Sequence, residues 1–472
     1  MVFSSNVFLL IFLPVFLICY FACPKSWQNI VILLFSVVFY AFGAPTFVFL
    51  LLASTALNFY LVKRMHQTAN PTYRKLFAGV AILVSLGLLG YFKYANFFMD
   101  NLNALLGLFG LKPFAFAKVL LPIGISFFTF QSITYVVDVY RKEMPPMERL
   151  TDYMLYILMF PQLIAGPIVR YRDIAEEIRH RERNWPEILQ GFYRFVIGLS
   201  KKILVADVIG KQVDILLAGD LSAMGTGTAW VTIVAYTMQL YFDFSGYSDM
   251  AIGLGKMMGF HFPENFNSPY NSASVSEFWR RWHITLGSFM RNYLYIPLGG
   301  NRCSRPRTYF NLWVVFLLSG LWHGASWNFV VWGAYHGFWL VLERMGLGKI
   351  YEKMGRLPSV LITFVIVTVG WAIFRIENLS DAAVFISRLF AFDFRSFADI
   401  GSPHFFTMLA LALVFSFLTL FPFGKKLQDL VFYTDYSRRQ HLAAWLVSIT
   451  LFLFCLGALN ATGFSPFIYF RF

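Results

Sequence analysis

Charge is what this sequence has least of: only 14% of its 472 residues are Asp, Glu, Lys or Arg, and that scarcity excludes an ordinary soluble domain with a solvated surface. Cysteine is nearly absent as well. Cys19, Cys23, Cys303 and Cys455 show one Cys-x-x-x-Cys spacing and no ligand pattern beyond it, which makes them core thiols and leaves no metal expected. No glycine pattern of the Walker or Rossmann kind occurs, which argues against a nucleotide-hydrolysing enzyme. Nor is there a basic stripe with interleaved aromatics outside the apolar segments, so no nucleic-acid partner is expected. Repeats, low-complexity tracts and long linkers are missing too. A single membrane domain over residues 1–472 is expected, with core motifs in 120–340 and C-terminal helices in 357–465.

Apolar residues make up 58% of the chain. Val7 to Cys23, Trp27 to Gly43, Phe47 to Val62 and Leu76 to Phe92 are each long enough to cross a ~30 Å hydrocarbon layer at about 1.5 Å per residue. The count comes to about 11 to 13 apolar segments, some of them broken by Gly and Pro, which predicts an all-α polytopic membrane protein. The first segment lacks the basic flank and cleavage site of a signal peptide and is expected to be retained. The net charge of +14 falls in short loops, which suits contact with anionic lipid. Lys63, Arg64, His66, Arg74 and Lys75 form the first basic cluster, so the N-terminus is expected on the periplasmic side. Tyr153 to Val169 lies between two basic loops and holds two prolines, Pro161 and Pro167, which favours a re-entrant segment over a crossing.

Ionisable groups in such surroundings mark functional candidates, because each costs about 2.5 to 3.5 kcal/mol at the centre of a span. His323 leads. It sits in Ser319-Gly320-Leu321-Trp322-His323-Gly324-Ala325-Ser326-Trp327, where Gly320 and Gly324 let a partner helix or a ligand approach, and Trp327 at i+4 is expected to pack beside the imidazole. A desolvated neutral histidine can accept a proton from an attacking hydroxyl; a helix-packing role weighs equally on physics alone. His336, thirteen residues on, reads as a packing residue. His283 lies in an Arg-, Trp- and Tyr-rich polar stretch from Asn265 to Arg307, expected at an interface or dipping into the protein. There Arg280, Arg281, Arg291 and Arg302 suit the phosphates of coenzyme A, or ordinary membrane anchoring. Trp322, Asp243, Ser245 and Asn328 are expected to line the cavity together with Trp327. Asp243 and Asp249, with no neighbouring His or Cys, should bond Arg, Tyr or backbone groups and shape a wall.

Trp279-Arg280-Arg281-Trp282-His283, Leu298-Gly299-Gly300-Asn301-Arg302, the Tyr241–Asp249 run and Leu321-Trp322-His323-Gly324 together resemble the bacterial branch of the membrane-bound O-acyltransferases, closest to its alginate O-acetyltransferase group. The opening Met1–Asn6 and the Pro122–Gln131 stretch match that group too, so the likeness covers nearly the whole chain. The resemblance implies a ring of helices around a central funnel and tunnel in a bacterial inner membrane. It also implies O-acyl transfer with His323 as the catalytic residue and His283 as the second family position, and acetyl-CoA as donor. The partners it implies are a periplasmic or membrane-anchored SGNH-type acetyltransferase and a polysaccharide synthase or export complex. A secreted alginate-like or cellulose exopolysaccharide is the expected acceptor, with peptidoglycan as the alternative. The residues leave open whether His323 acts as a base or carries the acetyl group. They also leave a different class open, a proton-coupled transporter that cleaves no thioester.

Overall fold

The structure is a computed structural model, described over residues 1–394, 400–463 and 465–468. Among the described residues it is helical, with one isolated bridge between Phe266 and Trp282 in place of any sheet. The chain forms two compact units, one of residues 1–183 with 258–263 and one of 184–257 with 264–472. Among the described residues six helical stretches are long and apolar enough to cross a bilayer: Lys25–Gly43, Pro45–Gln67, Pro71–Leu108, Arg356–Arg375, Pro403–Leu420 and Arg438–Ala461. Phe8–Ala22 adds a shorter apolar helix. This is a multi-pass membrane protein.

The first unit runs through α1 (Leu13–Ala22), α2 (Gln28–Gly43), α3 (Val48–Gln67), α4 (Pro71–Leu89), α5 (Ala95–Leu108), α6 (Ile125–Tyr140), α7 (Leu150–Leu158), α8 (Phe160–Leu163) and α9 (Tyr171–Arg179). Apolar helices in lipid gain little from hydrophobicity alone, so polar contacts join them: Asn58 on α3 donates to Ser85 Oγ on α4 at 3.0 Å. The proline-rich stretch after Tyr153 is a broken helical segment. Nine-residue α7 is too short to cross, the backbone breaks at Met159, and Tyr156 Oη donates to the Val169 carbonyl at 3.0 Å, closing the segment on itself. Its freed backbone finds protein partners as lipid-depth loops require: Phe160 N–H donates to Ser36 Oγ at 3.0 Å, and the Phe160 ring is clasped edge-on by Phe12 and Phe16.

The second unit contains α10 (Trp185–Ser200), α11 (Asp207–Leu217), α12 (Thr226–Met258), α13 (Val275–Arg281), α14 (Ile284–Phe289), α15 (Arg305–His323), α16 (Trp327–Leu342), α17 (Gly348–Met354), α18 (Arg356–Arg375), α19 (Leu379–Leu389), α20 (Pro403–Phe417), α21 (Pro422–Phe432) and α22 (Arg438–Thr462). Glycines seven residues apart on α10 meet glycines seven apart on α12. A Cβ on Gly198 would lie 2.5 Å from the Gly246 carbonyl, and one on Gly253 would lie 2.5 Å from that of Gly191. Only bare backbone permits that approach. The carboxylates of α12 are paired across it: Asp249 with Arg194 at 2.9 Å and with Lys201 at 2.6 Å, Asp243 with Lys202 at 2.6 Å. Lys202 also meets Asp207 at 2.7 Å.

Candidate active site

The site is built where α15 turns back into α16. The chain reverses over Gly324–Ser326, and the two helices touch backbone to backbone: a Cβ on Gly320 would stand 2.2 Å from the Phe329 carbonyl, and one on Gly333 would stand 2.3 Å from that of Phe316. The small residues around His323 therefore admit a partner helix. His323 is the last residue of α15 and is buried. Its imidazole is surrounded edge-on by Trp322 (4.9 Å between centroids), Trp332 (5.0 Å) and Phe374 (5.5 Å). Asn328, at the start of α16, holds this well in shape by donating to the Ile373 and Phe374 carbonyls at 3.4 Å each, with its amide oxygen against the Ser326 hydroxyl.

His283 reaches the same indole from another element, its ring 6.0 Å from Trp322 and 4.8 Å from Phe244. It adopts left-handed backbone, φ 46°, between α13 and α14, a conformation that non-glycine residues rarely occupy. Asn265 fixes it there. The Asn265 carbonyl accepts from Ile284 N–H at 2.9 Å, and Asn265 Oδ1 lies 3.0 Å from His283 Nδ1 while accepting from Thr285 Oγ1 at 2.8 Å. Asn265 Nδ2 donates to Ser248 Oγ, so its oxygen must face the ring, Nδ1 carries the proton, and Nε2 holds the lone pair of the neutral form. Burial lowers the His283 pKa to about 3, which keeps that ring neutral through the physiological range. Two buried histidines thus flank one tryptophan, an arrangement suited to proton transfer in a dry aromatic setting.

A profile described as the membrane-bound O-acyltransferase family matches residues 141–350, which hold both histidines. The chain is similar to a probable alginate O-acetylase of Azotobacter vinelandii, 41% identical over the whole of both chains. It is also similar to one of Pseudomonas aeruginosa, 46% identical over 90% of this chain and 81% of that one. This chain belongs to the membrane-bound O-acyltransferase family. A peptidoglycan O-acetyltransferase of Helicobacter pylori is 37% identical over 81% of this chain and 78% of the relative. The protein is accordingly an acyltransferase of the membrane.

The residues expected around His323 fall in several places. The i+4 register expected to bring Trp327 beside the imidazole is not set by a continuous helix: α15 ends at His323, and Trp327 opens α16 with 55% of its surface exposed. Trp332, one and a half turns into α16, stands edge-on to the imidazole. His336 is a packing residue as expected, edge-on to Trp279 and Trp332 and tight against Gly370 of α18. Asp243 and Asp249 bond Arg and backbone groups as expected, Arg194 donating twice to Asp249 and the Ile468 N–H once to Asp243 at 3.0 Å, and each also takes a lysine, Lys202 on Asp243 and Lys201 on Asp249. Ser245 lines a cavity of about 450 Å³ together with Tyr241, Asp249 and Asn265. Arg281 is engaged with Glu277 at 2.9 Å and with the Asn267 carbonyl, whereas Arg280, Arg291 and Arg302 are exposed. Sequence reasoning missed Asn265, Arg194, Lys201 and Lys202. The last three had a signal in their placement alone: three cations on apolar α10 and just beyond it, against two carboxylates on α12.

Proposed function

We propose that this acyltransferase takes an acetyl group from cytoplasmic acetyl-CoA and passes it across the bacterial inner membrane toward O-acetylation of a secreted, alginate-like polysaccharide. The observation that carries this reading is the convergence of His323 and His283 on Trp322 within the matched region. The names of the alginate-type relatives supply the acetyl group and the polymer class. His323 accepts the proton of the acceptor hydroxyl as its oxygen attacks the acetyl carbonyl. The carbon–sulfur bond breaks, and the departing coenzyme A thiolate takes that proton from the imidazolium, so charge and atoms balance. His283, with its Nδ1 proton held by Asn265, presents Nε2 as a second acceptor in the same aromatic chamber.

The exposed Arg280, Arg291 and Arg302 suit the phosphates of the donor on the cytoplasmic side, and the periplasmic step falls to an SGNH-type partner working with the polymer synthase or export complex. The N-terminus is then periplasmic. Peptidoglycan is the second reading for the polymer, favoured by the Helicobacter pylori relative. Membrane vesicles supplied with labelled acetyl-CoA, the SGNH-type partner and either polymer discriminate: label on alginate supports the proposal, label on peptidoglycan alone replaces the acceptor, and no label on either with intact vesicles removes it.

A further inference from the structure

The second unit holds two neighbouring cavities that the transfer chemistry does not use. The first, about 450 Å³, has a floor of four charged side chains and walls that include Leu411, Phe415 and Val431. The second, about 740 Å³, is a mainly apolar cleft bordered by Leu453 and Phe454, which are themselves exposed on α22. Both are bordered by Leu204 and Met408, so the two adjoin at these residues. Their walls include α20 and α22, both among the helices able to span the bilayer, so the pair opens toward lipid. The volumes fall in the range of small-molecule sites, roughly 300–1,000 Å³.

The floor determines what fits. Its charges alternate in a row: Glu264 to Arg194 at 2.5 Å, Arg194 to Asp249 at 2.9 Å and Asp249 to Lys201 at 2.6 Å. The inner members are closed in, with side chains 12% and 8% exposed for Arg194 and Asp249, while the ends remain accessible at 33% for Glu264 and 22% for Lys201. Two cations and two carboxylates sum to zero, so a ligand with net charge would leave that charge uncompensated in a low-dielectric site. A ligand with one charge of each sign meets a carboxylate at one end and an ammonium at the other. The buried Ser245 hydroxyl, which has no hydrogen-bond partner among the described residues, lines the same cavity and can donate to an ester or glycerol oxygen.

We propose that these paired cavities seat a zwitterionic phospholipid of the surrounding bilayer, its ammonium at Glu264, its phosphate at Lys201 and an acyl chain passing Leu204 and Met408 into the α20–α22 cleft. The seat adjoins the site through Asn265, which lines the cavity and also fixes His283, but the proposal does not depend on the acetyl-transfer reading. Native mass spectrometry of the full-length protein in mild detergent, incubated with equal amounts of phosphatidylethanolamine and phosphatidylglycerol, tests it directly. The wild type should retain one phosphatidylethanolamine in preference to phosphatidylglycerol. Leu204→Trp, which obstructs the junction, should lower retention about tenfold. Glu264→Gln leaves a net cation on the floor and should reverse the preference toward phosphatidylglycerol; it also keeps the test valid if Leu204→Trp fails to fold. Equal retention by wild type and a folded Leu204→Trp, preference of the wild type for phosphatidylglycerol, no retained lipid, or an unchanged preference in Glu264→Gln would each overturn the proposal.

Discussion

His323 and His283 lie against the same indole, yet the two regions that hold them rely on different physics. The α15–α16 turn is a packing device: glycines bring backbones into contact, and aromatic edges enclose an imidazole at a helix end. The Asn265–Thr285 region is a hydrogen-bonding device in which one amide satisfies three neighbours and holds a histidine in left-handed backbone. Packing tolerates loss of a polar group but not added volume, whereas the hydrogen-bonded loop behaves the opposite way. That contrast separates the two histidines experimentally.

The largest effect is expected at the chemistry itself. His323→Ala should lower acyl transfer by about 10²–10⁴-fold, the range for loss of a general base, in a protein that still unfolds cooperatively in detergent at a somewhat lower temperature, because the three rings around the imidazole are left facing a cavity. Next is the packing device. Gly320→Val drives a side chain into the Phe329 carbonyl and should destabilise the protein by about 1–3 kcal/mol or more, read as a lower unfolding temperature together with lost activity.

Asn265→Ala tests the other region: it removes the amide oxygen that His283 Nδ1 and the Thr285 hydroxyl share and should lower stability, by about 1 kcal/mol for each hydrogen bond lost. Asn265→Asp restores an acceptor but adds negative charge, which raises the His283 pKa from its depressed value of about 3. If neutral His283 is required, activity of that variant should persist at high pH and fall as pH drops through the raised value, a limb that the wild type lacks at the same pH. An identical pH profile in both proteins would remove His283 from the proton path. The smallest effect is expected at Trp327→Ala, which should stay within about 0.5 kcal/mol of wild type in stability, as exposed side chains do, and retain activity.

The same contrast explains what could be read in advance. Apolar runs announced α1 to α4, and the prolines announced the break in the stretch around Pro161, because length and proline act locally. The Gly320–His323–Gly324 spacing pointed to close helix packing around a buried imidazole, and that local signal held. The i+4 relation of Trp327 to His323 assumed helix periodicity across Gly324, where α15 in fact ends. Asn265 was illegible for a different reason: it lies eighteen residues from His283, and only the fold of an irregular polar loop makes them partners. The ion pairs of Arg194, Lys201 and Lys202 with α12 span longer gaps, 41 to 55 residues, so the cations stood out beside the carboxylates while the pairing between them did not.

The central claim is that His323 performs acyl transfer, and release of coenzyme A thiol from acetyl-CoA tests it most directly, with purified wild type beside His323→Ala and with the SGNH-type partner present. Thiol release by the wild type that is lost in a folded His323→Ala protein is the predicted result. Equal release from both proteins would contradict the claim.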